Sequence, residues 1–416
     1  SSTVARGPTI CSRIAAASSH VSEIGANTPG GVTIRMSGEV SLVATVSNAA
    51  VAELRARFEL ATDLTVGIEE ELMLLDAGSL DLAPRASELL RRLDRRRFTG
   101  ELPAAQIEIF GPPSETVGEA AAALRADRRT LEVEAARSGL AVAGCGVHPF
   151  TQVEGRLSEA PRYEHTRSEY GAVARLQLVF GLHVHVAVPG ADRALAVYNA
   201  LREELPALAA LGADAPFLGG RDTGLASVRP KLCDLLPRQG VPPALPSWEA
   251  LADAFAWGRR GGTFHDPAQW WWDARLHPVF GTIEVRVCDA QATVDDVAAL
   301  AAVVQTLAAA LAERYDAGET LGAAPAWRIA ENRWSACRHG VEGWGGDVRT
   351  GRREPMRDHI AALLDELEPL ARGLGCAAEL DGARRLLAHP PAASAREAAA
   401  GDPRALVAWL ADRFTG

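Results

Sequence analysis

The sequence predicts an α+β fold built on a mostly antiparallel sheet. Strand-like and helix-like stretches alternate irregularly along the 416 residues, without a strict strand–helix–strand succession or an internal repeat. Beyond about residue 320 the pattern is nearly all helical, broken by a glycine-rich loop and by Pro390-Pro391. Hydrophobic residues at 48% and charged residues at 23% supply an ordinary globular core and exclude general disorder.

Residues 1–50 stand apart. Ser, Thr, Gly and Ala dominate them, without periodicity or an apolar run of signal-peptide type. They read as a poorly ordered extension, with Met36 as a candidate natural start. Residues 51–416 read as one domain.

Within it, 64–75 is a predicted strand because Val66, Ile68, Leu72 and Leu74 share one parity. A second strand covers 105–110. The capping-box pattern Thr116-x-x-Glu119 opens a helix over 117–138, and 140–144 is a short apolar strand. A long strand is predicted at 176–188 and another at 282–288. Helices are predicted at 192–211 and 294–315, the second capped by Thr293. The stretch 214–268 is rich in Pro and Gly and reads as functional loops. Arg-rich 91–97 reads as the solvated face of a short helix, and His148-Pro149 as a turn.

A net charge of −10 argues against nucleic acid or an anionic membrane as partner. No run approaches the roughly 18 uninterrupted apolar residues of a membrane span, so a soluble protein is expected. Six scattered cysteines without a C-x-x-C pair read as free thiols of a reducing compartment, which predicts a cytoplasmic location. Lys231 is the only lysine and follows Pro230 rather than a glycine-rich loop, so there is no Walker A motif. Phosphate contacts must then come from arginines.

Four strand segments carry chemistry. Period-two alternation puts Glu69 and Glu71 of Gly67-Ile68-Glu69-Glu70-Glu71 on one face. His183 and His185 share a face in Leu182-His183-Val184-His185-Val186, as do Glu284 and Arg286 in Thr282-Ile283-Glu284-Val285-Arg286. Glu108 opposes apolar neighbours in Gln106-Ile107-Glu108-Ile109. Taken singly, these fit a solvated acidic face, a hydrogen-bonded histidine pair and a cross-strand ion pair. Gathered on one sheet face, carboxylates with imidazole suit Mg²⁺ or Mn²⁺ better than zinc. Cys288 shares the parity of Glu284 and Arg286 but reads as a small buried thiol. Trp270-Trp271-Trp272 reads as an aromatic wall beside the site, with Asp273 and Arg275 as contributors.

This combination resembles the carboxylate–amine ligase family, the type 2 glutamate–cysteine ligases, from about residue 65 to the C-terminus. Arg221-Asp222-Thr223-Gly224, Glu331-Asn332-Arg333-Trp334 and Arg338-His339-Gly340 belong to the resemblance. It implies a glutamine-synthetase-like fold, a curved sheet forming a funnel-shaped active site flanked by helices, in a single catalytic domain. It implies ATP with Mg²⁺ (or Mn²⁺), and Glu69, Glu71, Glu101, Glu108, His183 and Glu284 as metal ligands. Arg286 would hold the transferring phosphate, with Arg333 and Arg338 as further nucleotide contacts. Arg229, Thr223, Arg221 and His185 would surround the substrates, and Asp222 would accept the ammonium proton. The implied substrates are L-glutamate and L-cysteine or another amine; a homo-oligomer is also implied. Two other readings remain: a metal-dependent hydrolase or phosphotransferase on the same acids, and a non-catalytic nucleotide-binding homologue.

Overall fold

Alternation along the strands decides the architecture, because one face of each strand is apolar and the other carries charge. The structure, a computed structural model, describes residues 47–264 and 267–416. The N-terminal extension through residue 46, with Met36, lies outside the described residues.

Among the described residues, seven strands form the main sheet: β1 (Val66–Asp76), β2 (Phe98–Gly100), β3 (Gln106–Phe110), β4 (Leu140–Ala143), β5 (Gly181–Ala187), β8 (Ala274–His277) and β9 (Thr282–Asp289). Their order is β2-β3-β1-β5-β9-β8, with β4 beside the second half of β1. Every pairing is antiparallel. Two small hairpins stand outside it, β6 (Phe217–Leu218) with β7 (Arg221–Asp222), and β10 (Trp344–Gly346) with β11 (Arg353–Pro355).

Ile68, Leu72, Ile107, Ile109, Val184, Ile283 and Val285 point to one side and join the main core. That side is covered by the helix Val294–Asp316, where Thr293 Oγ1 accepts from Asp296 N at 3.1 Å as the cap. Among the described residues this is the one helix long and apolar enough to cross a membrane, and it lies inside the protein. It packs against helices Val117–Ala136, Ala191–Leu201, Met356–Gly373 and Ala377–Ala388.

Several sequence expectations shift. The strand expected over 176–188 begins only at Gly181, because the chain before it turns aside and Phe180 N bonds Gly146 O at 2.9 Å. The helix expected over 192–211 breaks at Arg202–Glu204, since Pro206 has no N–H for the Arg202 carbonyl. The supposed loop region holds the helix Trp248–Gly261, capped by Ser247. The arginine run 91–97 is a turn after the short helix Ala86–Leu89. His148 does shape a turn: its Nδ1 accepts from Phe150 N and Thr151 N, and Nε2 meets the Leu80 carbonyl at 2.9 Å.

His359, at the start of Met356–Gly373, ties β11 to the bundle: Nε2 lies 2.7 Å from Glu204 and Nδ1 3.0 Å from Glu354. The Glu204 hydrogen bond, outweighing burial, pushes the imidazole up to about 9. A folded-state value above the unfolded 6.5 gives stabilisation that is complete below about pH 6.5 and is lost as pH rises through about 9. The melting temperature should therefore fall between pH 7 and 10 by more in the native chain than in His359→Gln. Parallel profiles for the two proteins would refute this.

Candidate active site

The sheet's second face collects the charged positions. Glu69 stands opposite His183 across β1–β5, Glu71 opposite Glu108 across β1–β3, and His185 opposite Glu284 across β5–β9. Cross-strand neighbours on one face lie about 5 Å apart, so register alone brings these groups together. Glu69, Glu108, His183, His185 and Glu284 are all buried.

The β5–β9 register slips between Leu182 and Val184, where Arg286 meets His183. Such a bulge re-aims side chains. Arg286 reaches His183 Nδ1 at 3.1 Å and also bonds Glu284. Beyond the bulge the parity reverses: Cys288 pairs with Leu182 and packs against Gly212 on the core side. The parity expected for Cys288 is thus overturned, and its reading as a buried thiol stands.

Among the described residues two three-residue nests result, Glu69–His185–Glu284 and Glu69–Glu108–His183, each with its ligand atoms within 4.8 Å of one another. His185 Nδ1 lies 2.9 Å from Thr282 Oγ1, which turns Nε2 toward Glu69 at 3.2 Å and Glu284 at 3.9 Å. Nε2 of both His183 and His185 is buried without a hydrogen-bond partner. His183 Nδ1 lies 3.1 Å from Arg286 Nη1 and 3.4 Å from Glu69 Oε2. Carboxylates converging on imidazole nitrogens are the donor set of a divalent cation, and these residues fit one. The sequence resemblance gave His185 a substrate role; the structure puts it in a nest.

Electrostatics follow from crowding. Burial would raise Glu284, but Arg275 and Arg286 hold it well below the usual range. Burial likewise opposes ionisation of Glu69, and the adjacent His183 and His185 imidazoles reverse the direction and lower it. Burial pushes Glu71 up to about 7 against the pull of Arg229, with Glu101 adding to the rise. Burial and the surrounding carboxylates of Glu101, Glu69 and Glu71 raise Glu108 well above its ordinary value. Burial and Arg286 depress His183 to about 4, which keeps its imidazole neutral and able to ligate. Arg275, noted in the sequence only as a contributor, grips Glu284 with Nη2 at 3.2 Å.

Glu71 and Arg286 also border a cavity shared with Glu101, Arg229, Asp273 and Arg333. Tyr163 Oη donates to Glu101 at 2.8 Å across its edge, and Trp271 closes a side. Arg229 lies over the start of β5, where a Cβ at Gly181 would sit 2.2 Å from its Nη2 and push the guanidinium aside. Gly181 N in turn donates to Glu71 at 2.6 Å. Arg333 reaches the cavity while bonded to Asp273 at 3.2 Å and Asp234 at 3.0 Å. Three guanidinium groups suit a substrate with several negative charges.

The loop residues are placed differently. Arg221, Asp222, Thr223 and Arg338 do not line this cavity. Asp222 is engaged by Arg396 at 2.7 and 3.0 Å, which lowers its pKa and leaves it a poor base in this arrangement. Thr223 Oγ1 donates to the Pro216 carbonyl at 2.8 Å as part of a turn, Arg221 is exposed, and Arg338 donates to the Gly224 carbonyl. Tyr163 was missed in the sequence: it sits in an irregular segment without periodicity to mark it.

Residues 65–405 match the profile described as glutamate-cysteine ligase family 2. The chain is 40% identical to a putative glutamate–cysteine ligase of Rubrobacter xylanophilus over 334 residues, 79% of this chain and 90% of the relative. It is 35% identical to the corresponding putative enzyme of Gloeobacter violaceus, over 86% of this chain and 98% of the relative. Among solved structures, glutamate–cysteine ligase of Francisella tularensis in complex with AMP matches with a TM-score of 0.64 at 14% identity. That match covers 84% of this chain and 88% of the other. A bifunctional glutathione synthetase from Pasteurella multocida gives 0.59 at 15% identity, covering 87% of this chain and 53% of that one. The two structural matches share the fold, and the sequence matches settle the relationship: the chain belongs to glutamate–cysteine ligase family 2.

Proposed function

We propose that the chain is an ATP- and Mg²⁺-dependent (or Mn²⁺-dependent) ligase that joins the γ-carboxylate of L-glutamate to the amine of L-cysteine. The observation that carries this reading is the shared wall formed by Glu71 and Arg286. It places buried carboxylate–imidazole nests against an arginine-lined cavity.

A carboxylate is a poor electrophile until it is phosphorylated, and γ-glutamyl phosphate supplies a good leaving group. Its formation brings two anions together. Divalent cations, held by Glu69, Glu108, His183, His185 and Glu284, would neutralise phosphate charge in this step. Arg286, fixed by Glu284 and His183, offers a guanidinium to the transferring phosphoryl group. Arg229 and Arg333 hold anionic parts of the substrates in place, and such positioning contributes much of the rate. Glu71, poised at about 7 by burial against Arg229, is better suited to take the ammonium proton than Asp222.

ADP release measured with ATP, Mg²⁺ and L-glutamate should depend on L-cysteine and yield a dipeptide of matching mass. ADP release indifferent to any amine would instead favour a phosphotransferase or hydrolase on the same acids. No release with any acid and amine would overturn the ligase reading.

A further inference from the structure

The β8–β9 hairpin carries a feature that the cavity and the nests leave unused. Its tip, after His277 and before Thr282, exposes Val279 at 65% and Phe280 at 55%, large apolar side chains normally withdrawn from water. Phe280 stacks on His277 with ring centroids 4.3 Å apart and planes 9° from parallel. His185 meets both rings edge-on, at 5.5 Å from His277 and 5.6 Å from Phe280. Because His185 Nε2 lies 3.2 Å from Glu69, the rings run unbroken from solvent to the Glu69–His185–Glu284 nest.

The tip is braced in this form. His277 Nδ1 accepts from Phe280 N at 3.1 Å, and the His277 carbonyl accepts from Gly281 N at 2.9 Å. Gly281 has φ +68°, and a Cβ there would lie 2.4 Å from the Arg57 carbonyl oxygen, so the helix Asn48–Glu59 is pressed against the turn. A flat aromatic surface fixed before any ligand arrives loses little entropy on binding. The arginine-lined cavity is bounded by none of these rings. The cluster therefore has two approaches: an arginine side suited to amino-acid carboxylates, and an aromatic side suited to a flat ring.

We propose that the stacked His277–Phe280 pair is the platform for the base of the nucleoside triphosphate, with the phosphates reaching past His185 to the Glu69–His185–Glu284 nest. This rests on the ATP-dependent reading above. Stacking supplies affinity for a base without reading its edge, whereas the nest acts on the phosphates alone.

Titration of the full chain with Mg-ATP and, separately, with Mg-tripolyphosphate tests the platform, because the second probe lacks a base. Phe280→Ala, at an exposed position, should weaken ATP binding about tenfold and leave tripolyphosphate binding unchanged. Phe280→Trp should restore ATP binding. Equal ATP affinity in Phe280→Ala and the native chain would overturn the platform while leaving the ligase reading intact. Equal weakening of both probes would also overturn it, since the side chain would then act on the nest. A native chain that binds neither probe would overturn the ligase reading and the platform with it.

Discussion

Replacing Glu284 by glutamine should lower cysteine-dependent ADP release by about 100- to 1000-fold, the loss seen when a charge-stabilising group is removed from a preorganised site. Glu284 is fully buried, belongs to the Glu69–His185–Glu284 nest, and orients both Arg275 and Arg286. The substitution preserves shape and one acceptor oxygen but removes the charge. It also leaves the buried Arg275 and the half-buried Arg286 with less compensation, so stability should fall, by up to about 3 kcal/mol. Activity must therefore be read under conditions where circular dichroism shows the variant folded. A folded variant retaining activity within tenfold of the native chain would refute the role given to this carboxylate.

The largest effect on stability is expected on the core-facing side of β1. Glu70 and Arg128 are both fully buried and form a bidentate pair, with Nε to Oε2 at 2.9 Å. Arg128 also donates to the carbonyls of Ala292 at 3.1 Å, Gln291 at 2.9 Å and Phe414 at 2.7 Å, and stacks on the Phe414 ring. Arg128→Met strands a buried carboxylate and should cost about 3–5 kcal/mol. Glu70→Leu combined with Arg128→Met removes both charges and should recover part of that loss. Recovery should be incomplete, because the three carbonyls lose their donor at about 1–3 kcal/mol each. Urea unfolding of the single and double variants measures this. A double variant as stable as the native chain would show that the carbonyl contacts contribute nothing.

The contrast between Glu69 and Glu70 shows what the sequence made legible. Period-two alternation correctly assigned Glu69 and Glu71 to the polar face, and by the same parity Glu70 falls with Ile68 and Leu72 in the core. Its partner, Arg128, lies 58 residues away on a helix, and no local pattern announces such a pairing. Likewise Asp222 looked free in sequence because Arg396, 174 residues on, gives no sign of reaching it. Cys288 was misplaced because a bulge, which depends on the partner strand, cannot be read from one strand alone. Local signals such as the Thr116 and Thr293 caps translated directly into helix starts. What depended on pairing between distant segments did not.

The Arg128–Phe414 contact also bears on the order of events as the chain is made. Its two residues are 286 positions apart, and the nests draw on strands from β1 to β9. A ribosome would have released everything from β1 to Phe414 before the guanidinium beneath β1 could find its last acceptor. The central sheet thus matures late, and its closure should be slow because the pairings are so remote. Until then Glu70 and Arg128 have only each other and water, and the half-built sheet leaves its edges unpaired. Chaperone demand during expression, more than the stability of the finished protein, is where this arrangement should be felt.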